Sequence, residues 1–449
     1  MSRPPFAPDG VYPLQASGRV EVERVTRMSD GARTPPIRPA GAYLANPGHL
    51  RRDAHDPDYV VLVSVVALAA IGILMVYSAS AIPSYALTNN TFQMVAPQIA
   101  SGLVGLGVML ILMRIDYRYM RVASVPLAIF ALGLLVLVLL PQFGTSVNGS
   151  ARWIRVGSLP EVHPAEIAKL ALVVYLSHWL TTRGTQIHSF LHGTVPFAII
   201  VVPFLLLVVR EPDLGTAGVI VLLAFSLYFV AGANPVHIVL AGVIGTVGAV
   251  IAINTVAKYA MERINALLNP WADPLHTGYH TLKGLEAIAA GGLFGTGLGN
   301  DKVLVPNDFN DFIFSVIAQE FGLVGGVIVI GLFAAFAYGG IRTALRAPDT
   351  FGGLLAAGIT AWMCFQALVN IGVVVAVFPV TGITLPFVSA GGTSLVVSFA
   401  AVGILLSVSR ETVERGWVSA SADSGRGYGG TYLPGSRRGK VTAGPTGRA

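Results

Sequence analysis

Residues 59–78 read YVVLVSVVALAAIGILMVYS, a run with no charged residue. At about 1.5 Å per residue such a run reaches roughly 30 Å as a helix, the thickness of a bilayer's hydrocarbon core. Similar apolar segments follow at 93–113, 123–141, 165–182, 192–209, 214–232, 236–256, 314–340, 352–378 and 392–409. The pattern predicts an all-α integral membrane protein, a polytopic bundle of about ten transmembrane helices with a long extracytoplasmic loop between helices 7 and 8. Several segments contain Pro or Gly, which membrane helices tolerate when neighbours satisfy the backbone. The long eighth segment leaves room for a partly buried stretch before the true span.

Composition agrees. Of 449 residues, 54% are hydrophobic and only 12% charged, about half the usual charged share. That excludes an ordinary cytosolic enzyme, a nucleic-acid-binding module and a disordered chain. The net charge of +6 sits mostly in tails and short loops, so anionic membrane lipids and topology explain it better than nucleic acid. A single cysteine, Cys364, lies inside an apolar run. It cannot form an intramolecular disulfide, and it argues against a Cys-based metal or redox site.

Charge also predicts orientation. Residues 1–57, rich in Pro, Gly and Arg, read as a disordered cytoplasmic tail ending near Arg51 and Arg52. The first span follows without a cleavable signal peptide and is expected to remain as an anchor. Arg114, Arg118 and Arg121 mark the second loop, and Arg342 and Arg346 the loop between spans 8 and 9. Residues 58–410 form the ten-span domain, and 411–449 a second disordered tail. The basic loops and both termini are expected in the cytoplasm.

Two outer loops, 142–164 and 257–311, are long and charged, as functional loops tend to be. The first holds Gly149-Ser150-Ala151-Arg152-Trp153-Ile154, then His163-Pro164-Ala165-Glu166-Ile167-Ala168-Lys169. Pro164 suits a helix start, and Glu166 a first turn where the dipole favours an anion. Glu166 and Lys169 share a helix face. They read either as a mutually neutralising pair or as part of an anion site in which Arg152 supplies a fork and Lys169 a point charge. In Arg210-Glu211-Pro212-Asp213-Leu214-Gly215-Thr216, Asp213 reads as the cap of the next helix, a role that site-lining can accompany.

The second loop carries Arg263, Asn269-Pro270-Trp271 and Gly278-Tyr279-His280. The glycines of 290–299 have no preceding strand, so a dinucleotide loop is a weak reading; close helix packing or a backbone turn beside a ligand fits better. Asp311 stands at the edge of an apolar helix, where desolvation raises a carboxylate towards a useful general-base value; a helix N-cap reads equally well. Glu320 lies nine residues on, roughly 13 Å deeper along a helix, and must pair or face a polar cavity. The uncharged stretch 379–394 is dense in turn formers. Its Ser389, Thr393 and Ser394 either turn the chain or line a sugar or headgroup site.

Taken together, these pieces resemble the SEDS family of cell-wall proteins, the group of FtsW, RodA and SpoVE. The pieces that carry the resemblance run in order: Met75-Val76-Tyr77-Ser78-Ala79-Ser80, Ala151-Arg152-Trp153-Ile154, Pro164-Ala165-Glu166 with Lys169, Pro212-Asp213-Leu214-Gly215-Thr216, Gly278-Tyr279, Asp311-Phe312-Ile313-Phe314 with Glu320, and Thr381-Gly382 on to Ser394. The resemblance implies a peptidoglycan glycosyltransferase for cell division or elongation, polymerising lipid II into β-1,4-linked strands at the outer face of the cytoplasmic membrane. It implies a class B penicillin-binding protein as transpeptidase partner, alongside other divisome or elongasome proteins. The family's catalytic aspartate maps onto Asp311. Arg152, Lys169 and Arg263 become candidates for the lipid pyrophosphate, with Glu166, Asp213, Glu320, Ser389, Thr393 and Ser394 as further substrate-binding candidates. The resemblance leaves room for a divalent cation, Mg or Mn, but the sequence offers no complete ligand set, and no organic cofactor is implied.

Relatives usually read Pro-Glu-Ala-His-Thr before the aspartate; here Pro306-Asn307-Asp308-Phe309-Asn310 precedes it. Asp308 either raises the pKa of Asp311 by like-charge repulsion or shares the base role. Gln319 stands where an acid is common, His280 where Gln is common, and Ala390 where an aromatic is common. Two other classes compete: a lipid II flippase, and a non-catalytic scaffold for the transpeptidase.

Overall fold

A computed structural model describes residues 56–147, 150–155, 161–255, 258–300, 303 and 309–412. Nearly all of both predicted tails, and Asp308, lie outside the described residues. The helices are α1 Tyr59–Thr88, α2 Ala96–Arg114, α3 Tyr119–Val138, α4 Pro164–Arg183, α5 Val195–Arg210, α6 Leu214–Val230, α7 Pro235–Thr255, α8 Lys258–Leu268, α9 Tyr279–Gly291, α10 Ile313–Arg346, α11 Thr350–Val374 and α12 Gly392–Ser409. α1–α7 and α10–α12 answer to the ten predicted segments. The chain is a polytopic all-α membrane protein.

Helix starts follow local chemistry. Asp58, Asp213 and Asp349 each accept a backbone N–H at the head of α1, α6 and α11, and Pro164 opens α4, both ordinary starts. Arg114, Arg183, Arg210 and Arg346 close α2, α4, α5 and α10, where the dipole favours a cation.

Seven helices among the described residues are long and apolar enough to cross a membrane, and α6 and the first part of α7 are shorter apolar helices. α4 has the length but carries Glu166, Lys169 and Arg183. Its polar residues are tolerable because most of the helix is buried in the bundle, where protein rather than lipid answers them. Glycines permit close crossings: a Cβ on Gly403 of α12 would stand 2.7 Å from the Met109 carbonyl of α2, and one on Gly340 of α10 would meet Thr360 of α11. Such small-residue contacts take the place of hydrophobic driving force in lipid.

The basic end is closed by ion pairs. Arg342 meets Asp58 at 2.8 Å, Arg118 meets Glu411 at 2.7 Å and Arg121 meets Asp349 at 3.0 Å. Backbone N–H groups of Asp58 and Tyr117 donate to Ser409 and Ser407. The head of α1, the α2–α3 and α10–α11 turns and the foot of α12 are thereby tied together.

α10 is broken at Gly322 (φ +67°, ψ −162°). The glycine-rich segment after α9 patches the break. Leu323 and Val324 donate to the carbonyls of Gly292 (2.9 Å) and Leu293 (3.3 Å), while Thr296 and Gly297 donate to those of Gln319 (2.9 Å) and Glu320 (3.0 Å). A Cβ on Gly295 would lie 2.0 Å from the Glu320 carbonyl. The glycines therefore serve close packing, one of the two roles expected of them.

Gly322→Ala forces a Cβ into a left-handed residue 2.5 Å from the Leu293 carbonyl. We expect it to cost about 1–3 kcal/mol and lower the thermal midpoint in detergent. Gly331→Ala, at a helical position where a Cβ meets nothing within 4 Å, should leave the midpoint in place.

Candidate functional site

At the end opposite the ion pairs, the 142–164 loop contains an antiparallel hairpin, β1 Gly144–Val147 with β2 Ser150–Ile154, which the helical reading did not anticipate. Ile154 pairs with Val162 and returns the chain to α4. The hairpin fixes Arg152. Its Nε donates to the Glu211 carbonyl at 3.2 Å, and Nη2 donates to the Pro212 carbonyl. A Cβ at Gly382 would stand 3.4 Å from Nη1, so the 380s loop crowds the same guanidinium.

Asp311 lies one residue before the N-cap of α10. Phe312 occupies that cap, with no side-chain cap bond, so the capping reading of Asp311 gives way. Asn370 of α11 holds the turn, donating from Nδ2 to the carbonyls of Asp311 (2.8 Å) and Ile383 (2.7 Å). The Ala390 N–H donates to Phe309. His280 stacks on Phe312 with centroids 5.8 Å apart, and Arg263 donates to the Val380 carbonyl at 2.9 Å. Burial raises the pKa of Asp311, while its own backbone N–H, His280, Arg263 and Arg152 pull the other way.

Lys169 is fully buried. Its Nζ donates to Glu166 (2.8 Å) and to Gln366 of α11 (2.6 Å), and it lies 5.3 Å from the Trp362 ring centroid. Of the two readings of Glu166 and Lys169, the mutually neutralising pair is the one observed. Gln366 in turn bonds Trp362 Nε1 and the Thr384 carbonyl, and Thr384 meets Ser394 at 3.1 Å.

Asp213 caps α6: Oδ1 accepts the Thr216 N–H and Oδ2 its hydroxyl. His163 Nε2 stands 3.9 Å from Oδ2. Burial pushes the Asp213 carboxyl up, but Arg152, His163 and Thr216 together hold it below its ordinary value. Burial lowers His163 against Asp213 and Glu166. Thr393 donates to the Glu161 carbonyl and accepts the His163 N–H. Ser389 accepts from Leu385 and anchors the 385–389 turn. The turn-forming reading therefore suits Ser389, while Thr393 and Ser394 brace the loop beside α4.

Glu320 belongs elsewhere. It takes a short hydrogen bond from Ser78 Oγ of α1 and one from the Gly299 N–H. Counted at 1.5 Å per residue, Ser78 stands about 28 Å along α1 and Asn370 about 30 Å along α11. Glu320 and the Asp311 turn thus lie at similar heights.

The arrangement brings together Asp311, Arg152, Arg263 and Asp213, with His280 and His163 beside them. Lys169 and Glu166 form a buried layer linked through Gln366 to the 380s loop. Gln366 and Trp362 were not singled out as site residues, although Gln366 is a polar residue in an apolar span, four before Asn370 on one helix face. Among the described residues no group of three or more His, Cys, Asp or Glu side chains is placed to hold a metal ion.

Comparison with known proteins places the chain in a family. Stage V sporulation protein E of Bacillus subtilis is 41% identical over 358 residues, covering 79% of this chain and 97% of that protein. A probable peptidoglycan glycosyltransferase FtsW of Geobacter metallireducens is 37% identical, covering 78% and 94%. A chain in a solved peptidoglycan synthase complex superimposes with a TM-score of 0.66 at 30% identity, covering 79% and 98%. The crystal structure of the rod shape determining protein RodA of Thermus thermophilus does so with a TM-score of 0.60 at 28% identity, covering 80% and 98%. With a family model described as "Cell cycle protein" matching residues 59–414, the chain belongs to the FtsW, RodA and SpoVE family.

Proposed function

We propose that this chain is a peptidoglycan glycosyltransferase that polymerises lipid II into β-1,4-linked glycan strands at the outer face of the bacterial cytoplasmic membrane. The basic end faces the cytoplasm, as do both termini. The observation that carries the reading is one half-buried carboxylate, Asp311, within electrostatic reach of the guanidinium groups of Arg152 and Arg263.

Strand growth requires an acceptor hydroxyl to attack an anomeric carbon. Asp311 takes the hydroxyl proton as general base; its raised pKa suits it to hold that proton. A C–O bond forms at the anomeric carbon as the bond to the lipid pyrophosphate breaks. The departing group leaves as an anion, so it needs cationic stabilisation rather than a carboxylic acid partner. Arg152 and Arg263, fixed by backbone carbonyls, supply that charge without reorganising. Lys169, tied to Glu166 and Gln366, supports the loop that carries Thr384 and Gly382, and so acts behind the anion site.

The family relationship and the synthase complex support a class B penicillin-binding protein as partner, with division or elongation as the setting. A flippase is less well supported: Asp311, Asp213, Arg152 and Arg263 gather at one end, and the charges at the other end are paired with one another. A purely structural scaffold has no use for an uncapped aspartate beside two arginines.

Purified lipid II, offered to the chain with its cognate partner, should yield glycan polymer. Asp311→Asn should reduce the rate on the order of 10²–10⁴-fold while the protein still folds and binds its partner. A rate that survives this change removes Asp311 from the base role, and absence of polymer from wild type favours the flippase, to be checked by lipid II translocation in vesicles. In the wild type the rate should fall as pH drops through a raised Asp311 pKa, above the usual value of about 3.9. Arg152→Ala should cost about 1.5–3 kcal/mol, or roughly 10–100-fold in kcat/KM.

A further inference from the structure

The turn between α5 and α6 contains a carboxyl group that this reaction does not use. Glu211 is fully buried, and among the described residues neither of its carboxyl oxygens has a hydrogen-bond partner. Asp213, two residues on, is answered by Thr216 and His163. Arg152 is the neighbouring cation, yet its Nε and Nη2 bypass the Glu211 side chain and donate to the backbone carbonyls of Glu211 and Pro212.

An ionised carboxylate next to a guanidinium ordinarily takes those N–H groups itself, two at a time. A buried ion left without a partner changes its protonation state instead. The arrangement is that of a neutral acid. Burial first, then the Asp213 charge, pushes the Glu211 carboxyl up to about 9, against the opposing pull of Arg152. The charged and titratable groups around the turn are Asp213 at the head of α6, Arg152 on β2 and His163 before α4. Asp311 before α10 interacts electrostatically with Arg152, and Arg210, next in sequence, is exposed.

We propose that Glu211 is a positioning residue for Arg152: as a neutral acid it leaves the guanidinium seated on backbone carbonyls with its charge available to a diphosphate, and as a carboxylate it captures that guanidinium. The proposal rests on the reading of Arg152 as a pyrophosphate ligand. It makes the protein's affinity for an anionic lipid substrate depend on a proton held outside the reacting atoms.

The test compares wild type with Glu211→Gln, which keeps a neutral group of the same shape, using the full chain with its class B partner and purified lipid II. In wild type, kcat/KM should fall above pH 9 by up to about tenfold per unit, with the loss in KM. Glu211→Gln should keep the neutral-pH rate and lose the alkaline fall. An equal fall in both proteins, or none in wild type, overturns the proposal. A second measurement does not depend on turnover. At neutral pH the infrared spectrum of wild type should contain the carbonyl stretch of a protonated carboxylic acid that Glu211→Gln lacks; no such difference band overturns the proposal as well. Failure to polymerise at any pH, with the infrared band present, removes the enzymatic reading and leaves Glu211 neutral but without this role.

Discussion

A lysine ammonium with no exposed surface, inside a membrane bundle, must be answered by protein. Lys169 is answered by Glu166 on its own helix, by Gln366 on α11 and by the face of Trp362. Those bonds do more than neutralise a charge. Gln366 spends its amide hydrogens on Thr384, and Thr384 meets Ser394 at the head of α12. The buried cation thus links α4, α11 and α12 to the irregular 380s loop. That loop, in turn, crowds Arg152 through Gly382 and accepts from Arg263 through Val380. A removed partner would leave a buried charge uncompensated, the expensive case for an ion pair, so the network and the loop stand or fall together.

The break in α10 obeys the same rule by different means. Opening a helix frees backbone N–H and C=O groups, which lipid cannot satisfy. The segment after α9 satisfies them with its own backbone, and the approach depends on Gly295, where a Cβ would lie 2.0 Å from the Glu320 carbonyl. Its position matters for chemistry. The turn that presents Asp311 lies just ahead of the outer part of α10, the part that the break separates from the rest of the helix. Glu320, bonded to α1 through Ser78 and to the glycine segment through Gly299, fixes the corner. Those bonds answer a buried carboxylate that the sequence reading required to pair or face a polar cavity.

The membrane helices were legible because lipid imposes length and apolarity, the two properties a sequence shows most directly. The excess length of the eighth segment already signalled a stretch outside the true span, and the glycines of 290–299 signalled close packing. What the sequence could not show was which distant backbone each polar group would find. The hairpin that fixes Arg152 is short and has no strand periodicity, so it looked like loop. The capping reading held for Asp213 and failed for Asp311, although both are aspartates at the mouth of an apolar helix. The difference is one residue of register, which places Phe312 rather than Asp311 at the cap of α10. Asn370 then holds the Asp311 carbonyl, a contact across 59 positions that no local pattern announces.

Charge at the site now has a direction. In the resting protein, His280, Arg263 and Arg152 all act to keep Asp311 ionised, against the burial that favours its neutral form. In the proposed reaction, a diphosphate seated on the two arginines would cancel part of their influence. The balance then moves towards burial, and the affinity of Asp311 for a proton rises at the moment an acceptor hydroxyl has a proton to give. Under the proposed reaction, the donor substrate therefore strengthens the base that activates the acceptor. When the diphosphate departs, the arginines are uncovered, and their charge helps Asp311 release the proton to solvent. Lys169 cannot take part in this exchange because its charge is already committed within the bundle. The separation of a committed cation from two exchangeable ones allows the scaffold to stay fixed while the electrostatics of the site cycle with each sugar added.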